Sequence, residues 1–284
     1  MSTTLTTDRH TAATTASSNG RPDGGWFPGS RLIRSEVLKL RRRRGLMAAA
    51  LLLAPVVVIA VFVIRAILHL AEPAQYGPAG GMDAFANMSF ALSELGAIVA
   101  IMIGASAGSS DLTAGVFRSL VVTGRSRWAL FTARIPAGLA VLVPIIAVAF
   151  ALISVASVAL AGNNPAPSIG LMFWSGLWVE LGTVVLFAIA LGVASVIGTR
   201  STTVGILLAV QLVLTPIFMR TSGFNDIRQL LPGIVLRQLQ PTGLGQVGPQ
   251  GGLTMTVPSI AVLIGLWVCV PLVVGAWRTA RRDA

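Results

Sequence analysis

The sequence predicts an all-α membrane protein with six transmembrane helices, and three observations carry that expectation. The chain of 284 residues is 54% hydrophobic and only 11% charged, with a mean hydropathy of +0.81, which leaves more apolar surface than a water-soluble fold can hide. Its apolar residues gather in six runs, at 46–70, 87–108, 128–160, 171–199, 203–219 and 258–277. Each run is near or above the roughly 20 residues that a helix needs to cross about 30 Å of hydrocarbon. The runs are apolar on every face, whereas transmembrane strands alternate over about ten residues.

The net charge of +11 points to membrane topology rather than to nucleic acid, because the basic residues mass on alternate sides of the spans. Arg31, Arg34, Lys39 and Arg41 to Arg44 precede the first span. Arg118, Arg125, Arg127 and Arg134 follow the second, Arg200 follows the fourth, and Arg278, Arg281 and Arg282 end the chain. Only Arg65, Arg220, Arg228 and Arg237 fall on the other side. This bias predicts that both termini are cytoplasmic, which six crossings allow.

Residues 1–30 are rich in Thr, Ser and Gly without an apolar run, so a disordered cytoplasmic tail is expected, followed by a six-helix transmembrane domain over 31–284. In the segment 31–44, Ile33, Val37 and Leu40 share one helical stripe while Arg34 and Lys39 lie off it. Such an elbow helix, carrying Arg34, Glu36 and Lys39, would lie in the membrane interface. It serves either as a lipid anchor alone or also as a contact for a cytoplasmic partner.

Between the second and third runs lies a polar island, 109–124. Ser109, Ser110 and Asp111 are N-cap candidates, Leu112, Val116 and Leu120 repeat at helical spacing, and Gly124 stops the pattern. The expectation is a cytoplasmic helix of about three turns, either a plain connector or a docking element. Gly104 and Gly108, at the inner end of the second run, form a GxxxG pattern suited to close helix approach. Pro136 and Pro144 inside the long third run predict an interfacial first portion followed by a kinked helix. The external loop, 220–257, holds a stretch from Asp226 to Leu239 that reads as two short helices broken at Pro232-Gly233.

At the polar island the sequence resembles the type-2 ATP-binding-cassette (ABC) exporter permeases. Asp111, Gly115, Arg118, Leu120, Ser126, Arg127 and Arg134 stand at the positions of that family's second cytoplasmic segment. Val116 stands where the family usually has Thr, and Thr123-Gly124 where Pro is common. The elbow segment from Ser35 to Leu40 and the six-run layout extend the resemblance over about 30–280. The resemblance implies a coupling helix, with Asp111, Leu112, Gly115, Val116, Arg118, Leu120, Arg125 and Arg127 facing a separate nucleotide-binding ATPase subunit. It also implies a second permease copy or a homologous permease as partner, and short helices in the external loop that help close the exit. ATP and Mg would be bound by the partner subunit, and no cofactor by this chain.

The chain's own chemistry agrees with a division of labour. A phosphate loop requires G-x-x-x-x-G-K-[ST], and the single lysine, Lys39, stands in Val37-Leu38-Lys39-Leu40 with no glycine directly before it. The histidines are His10 and His69, the lone cysteine is Cys269, and no H-E-x-x-H or nucleophile with a base is present. Neither a catalytic centre nor a metal site is expected. Serines inside the runs, such as Ser154, Ser157 and Ser195, are the usual packing or back-bonded type.

Two carboxylates stand inside apolar runs, Glu94 and Glu180, and a charge there costs about 3 kcal/mol unless it faces protein or water. Arg65 and His69, at the end of the first run, are their expected partners. The group is either an interhelical pair, a substrate path or a proton site. Three functions follow: the plasma-membrane permease subunit of an ATP-driven exporter, with the lipid bilayer around it; a self-contained proton-coupled transporter; or a membrane anchor for a cytoplasmic partner.

Overall fold

A computed structural model of the chain describes residues 29–113, 127–220, 230–245 and 255–281. The expected tail, but for its last residues, lies outside them. So do Gly115, Val116, Arg118, Leu120 and Arg125 of the expected coupling helix. Helices account for the fold among the described residues, with no strand. They are α1 (Ser30–Arg42), α2 (Arg44–Ala71), α3 (Met82–Thr113), α4 (Arg127–Ala159), α5 (Ile169–Ile197), α6 (Arg200–Phe218), α7 (Pro232–Gln238) and α8 (Val257–Arg281). All but α1 and α7 are long and apolar enough to cross a membrane, six spans in all, and each covers one of the apolar runs. The end of the bundle that carries α1 and the last turn of α8 is called here the terminal face, and the opposite end the distal face.

The helix ends follow local chemistry. Ser168 caps α5 by accepting the Leu171 N–H at 3.3 Å. Gly198 then stops α5 in the left-handed region, φ 86°, where a Cβ is disfavoured. Two spans are interrupted by a π-turn, at Leu52–Val56 and Val210–Leu214. In α2 the turn contains Pro55, which lacks an N–H and crowds the carbonyl four residues back, so the wider turn relieves a proline in mid-span. The third run, in contrast, forms one helix with Pro136 and Pro144 inside it; the separate interfacial portion expected there is part of α4.

α3 and α5 are the centre of the bundle. Of their most apolar stretches 56% and 61% is buried, against 6% for α8. They touch through glycines, because only a residue without Cβ lets two backbones meet. A Cβ on Gly104 would stand 2.6 Å from the Phe187 carbonyl oxygen, and one on Gly108 2.5 Å from that of Leu191. The contacts advance together from Gly96–Thr183 to Gly108–Ala194, so the two spans run parallel, as spans separated by one return crossing must. On another face of α5, Gly192 meets the backbone of Pro271 in α8. Small residues substitute here for the hydrophobic driving force that hydrocarbon does not supply between helices.

The elbow helix differs from its expected register. Leu32, Glu36 and Leu40 form the buried stripe, while Ile33 and Val37 are half-buried. The reason is tertiary: α1 packs on the start of α4, where Leu32 joins Leu130 and Ala133 in a small core with Ile33 against it. Glu36 is thereby only 5% exposed and holds Lys39 by an ion pair at 2.5 Å, while Arg34 stays exposed.

Candidate functional site

Two groupings of polar side chains stand out in an otherwise apolar bundle. One lies at the terminal face, where α3 leads into residues 114–126 and α4 leads out of them. Ser109 does not cap a new helix there; it sits inside α3, and its hydroxyl donates back to the Ala105 carbonyl at 2.7 Å. Asp111 and Leu112 belong to the last turn of the same helix. Arg134 is almost wholly buried, 2% exposed, and donates from Nη1 to the Gly108 carbonyl at 3.1 Å. The Ser195 hydroxyl stands 3.4 Å from the same oxygen and donates to Leu191 at 2.8 Å. Gly108 thus brings α4 and α5 to one carbonyl, at the level where α3 and α5 already touch backbone to backbone.

The return strand of this connection is fastened as well. Arg127, the first residue of α4, donates from Nη1 to the Ala280 carbonyl at 3.1 Å, which joins α4 to the last turn of α8. Thr279 in that turn donates to the Gly275 carbonyl at 2.7 Å, and Gly275 rests on Gly192 of α5. The helix ends that flank residues 114–126 are therefore both tied to α5, one through Gly108 and the other through α8.

The second grouping lies toward the distal face, around Glu94. Arg237 of α7 donates from Nη2 to Glu94 Oε1 at 2.7 Å, with both side chains about a quarter exposed. Gln211 approaches the other carboxylate oxygen at 3.4 Å, and the Arg237 guanidinium lies 4.8 Å from the centre of the Phe90 ring. Gln211 lies inside the π-turn of α6, Val210–Leu214, and is its one buried residue. Gly233 of α7 fits over Gln211 and Thr215, where a Cβ would be 3.2 Å from the Thr215 methyl.

α7 is bound from other sides too. Trp178 of α5 donates its indole N–H to the Leu236 carbonyl at 2.7 Å. Trp267 of α8 donates likewise to Leu230 at 2.6 Å, and Gln238 accepts the Met255 N–H at 3.1 Å. Pro232 opens α7 at its first position, where a proline sacrifices no hydrogen bond; α7 is the second of the two helices expected there, and most of the first, up to residue 229, lies outside the described residues. Beside α7, between α5 and the turn Thr242–Leu244, lies an apolar groove of about 530 Å³ whose walls include Trp174, Leu177, Trp178, Leu181 and Leu239.

The expected partners of the carboxylates are thus corrected. His69 is occupied elsewhere, its Nδ1 2.7 Å from the Tyr76 carbonyl. Arg65 is half-buried on α2 and takes no part in the Glu94 pair, whose cation comes from α7. Glu180 is separate again: both carboxyl oxygens are buried with no hydrogen-bond partner among the described residues. Sequence reasoning passed over Gln211 and Trp178. Gln211 had a signal, being an amide in an apolar run; Trp178 had none that separates it from other tryptophans at a membrane.

A bundle of six apolar spans, fastened at one end by backbone contacts and closed at the other by a short helix on an ion pair, defines a multi-pass α-helical membrane protein. Residues 32–215 match the model of the ABC-2 family transporter proteins, and the chain belongs to that family. The matched region runs from α1 to the end of the π-turn in α6. A comparison with individual curated proteins gives no match. The chain is accordingly a permease of the ABC transporter type.

Proposed function

We propose that the chain is the membrane subunit of an ATP-driven exporter of the plasma membrane, paired with a second permease and with two nucleotide-binding subunits that supply the hydrolysis. The terminal face is then cytoplasmic, and residues 114–126 are the segment that the ATPase drives. The observation that carries this reading is the double attachment of that segment. Arg134 and Ser195 meet at Gly108, Arg127 is held on Ala280, and both lines end on α5. A segment so fastened transmits a displacement to the spans instead of absorbing it. Since α3 continues through Thr113, contact with the ATPase falls chiefly to Gly115, Val116, Arg118, Leu120 and Arg125, with Asp111 and Leu112 at the helix end. The Glu94–Arg237 pair holds α7 across the exit.

One observation favours a second reading: a carboxylate buried without a partner, as Glu180 is, suits a proton site. A proton-coupled carrier would need neither ATP nor an ATPase. Both readings meet one experiment, efflux of candidate substrates from proteoliposomes with the ATPase and ATP, or with a pH gradient alone. The expected outcome is export that requires ATP and its subunit, is indifferent to the gradient, and is lost together with ATPase co-purification in Arg118→Glu. Gradient-driven efflux by the chain alone, abolished in Glu180→Gln, would establish the carrier instead.

A further inference from the structure

The apolar groove beside α7 has no part in the Glu94 grouping, and both of its walls can be traced along its length. One wall is a strip of α5 on which Leu171, Trp174, Leu177 and Leu181 recur at helical spacing. The other is the chain that leaves α7 and passes through the turn Thr242–Leu244. Two contacts seat the second wall on the first. At one end a Cβ on Gly243 would stand 2.7 Å from a Leu171 methyl. At the other, a Leu236 methyl lies 4.0 Å from where a Cβ on Gly182 would be, and the Leu236 carbonyl accepts the Trp178 N–H. Segment 236–243 therefore runs antiparallel to α5, from the level of Gly182 to that of Leu171, with the groove between them.

Length and chemistry identify the occupant. α5 crosses the membrane and begins at the distal face with Ile169. From Leu171 to Leu181 its axis advances about 15 Å, half of the hydrocarbon thickness of about 30 Å and so the depth of one leaflet. The groove offers little to a polar solute: apart from Thr242 and Gly243 its walls are Leu, Trp and Pro, and the Trp178 N–H is already engaged by Leu236. Left empty, its 530 Å³ would forfeit dispersion contacts on both walls, which the Trp178 bond and the Gly243 contact hold at their spacing. A straight hydrocarbon chain one leaflet long is what the surrounding bilayer presents at that place.

We infer that the groove holds one acyl chain of a phospholipid from the distal leaflet, its headgroup beside the turn Thr242–Leu244 and its chain lying along α5 down to Leu181. Contact on two walls distinguishes this chain from boundary lipid, which touches a span on one side. The same Trp178 that lines the groove holds α7, so the lipid packs behind the attachment of that helix. This site does not depend on what the protein transports or on what drives it.

The test uses the full chain in phosphatidylcholine vesicles that contain a small fraction of phosphatidylcholine with a photoactivatable diazirine midway along one acyl chain. Labelled residues are located by peptide mass spectrometry. The control is Leu266 of α8, which is 53% exposed against 51% for Leu177. Since α8 begins at Val257 and α5 at Ile169, both at the distal face, the two leucines lie at about the same depth. Leu177 and Leu239 should each take roughly threefold more label than Leu266, because a chain in the groove bears on two walls. Leu177→Trp, which fills the groove from its exposed side, should lower the label at Leu239 to the Leu266 level, and Leu266→Trp should leave it unchanged. Equal label at Leu177 and Leu266 in the unmodified protein would mean ordinary boundary lipid and overturn the site. Less label at Leu177 than at Leu266 would show that protein covers the groove, and undiminished label at Leu239 in a folded Leu177→Trp variant would place the chain elsewhere; either result also overturns it.

Discussion

The terminal and distal halves of α3 and α5 are held by different means. Toward the terminal face Gly104 and Gly108 lie on the carbonyls of Phe187 and Leu191, and Gly192 lies on Pro271. Toward the distal face Glu94, Gln211, Arg237 and Trp178 join α3, α5 and α6 to α7 through side chains. Backbone contacts at van der Waals limit admit little sliding, since every displacement meets a carbonyl. Side-chain pairs at a partly exposed site can part and be replaced by water at modest cost. The bundle is therefore held by close backbone contact toward the terminal face and by separable side-chain pairs toward the distal face, and the same two helices extend through both regions.

The largest expected effect comes from breaking the stiff half. Gly108→Leu places a Cβ 2.5 Å from the Leu191 carbonyl oxygen, a backbone atom that cannot swing aside. We predict destabilisation of about 3 kcal/mol or more, the upper range for overpacking a closed contact, visible as loss of monodisperse protein and a large fall in Tm in detergent. A Gly108→Leu protein with wild-type Tm would mean that α3 and α5 separate easily and that the contrast between the halves is false.

An intermediate effect is expected at the distal pair. A double-mutant cycle of Glu94→Ala and Arg237→Ala should give a coupling of about 1 kcal/mol by thermal unfolding, within the range for paired groups inside membrane proteins. Either single variant should loosen α7, read as faster labelling of an introduced cysteine at Gly233 in a Cys269→Ser background. Additive variants with unchanged labelling would show that Trp178 and Trp267 hold α7 without the ion pair.

The smallest effect sharpens the comparison by locating its edge. Arg65→Gln and His69→Gln should each change stability by less than about 0.5 kcal/mol, because neither side chain reaches the Glu94 pair. A change in either that is non-additive with Glu94→Ala would return Arg65 or His69 to the site from which the geometry removes it.

How much was legible beforehand follows the range of the forces involved. The apolar runs at 46–70, 171–199 and 258–277 correspond to Arg44–Ala71, Ile169–Ile197 and Val257–Arg281, because solvation of a span by hydrocarbon is decided residue by residue. Gly104 and Gly108 were recognisable for a related reason: small residues four apart lie on one face, whatever they meet. Glu94 was recognisable as a group in need of a partner, though not as the partner of Arg237, which is 143 residues away. The elbow stripe was displaced onto Glu36 because the face of α1 that is buried depends on where α4 begins. Arg65 and His69, the cations expected on the same side of the membrane, are not the groups that reach Glu94 in space.

By itself the sequence determined six crossings, the basic residues at their ends, the small-residue faces and the two intramembrane carboxylates, since each follows from the transfer energy or local geometry of the residues themselves. Only the tertiary structure decided that Arg134 is buried on Gly108, that Gln211 approaches Glu94, and that Arg237 of α7 pairs with it. Those choices depend on which elements pack together, and in a uniformly apolar chain no local pattern distinguishes one neighbour from another.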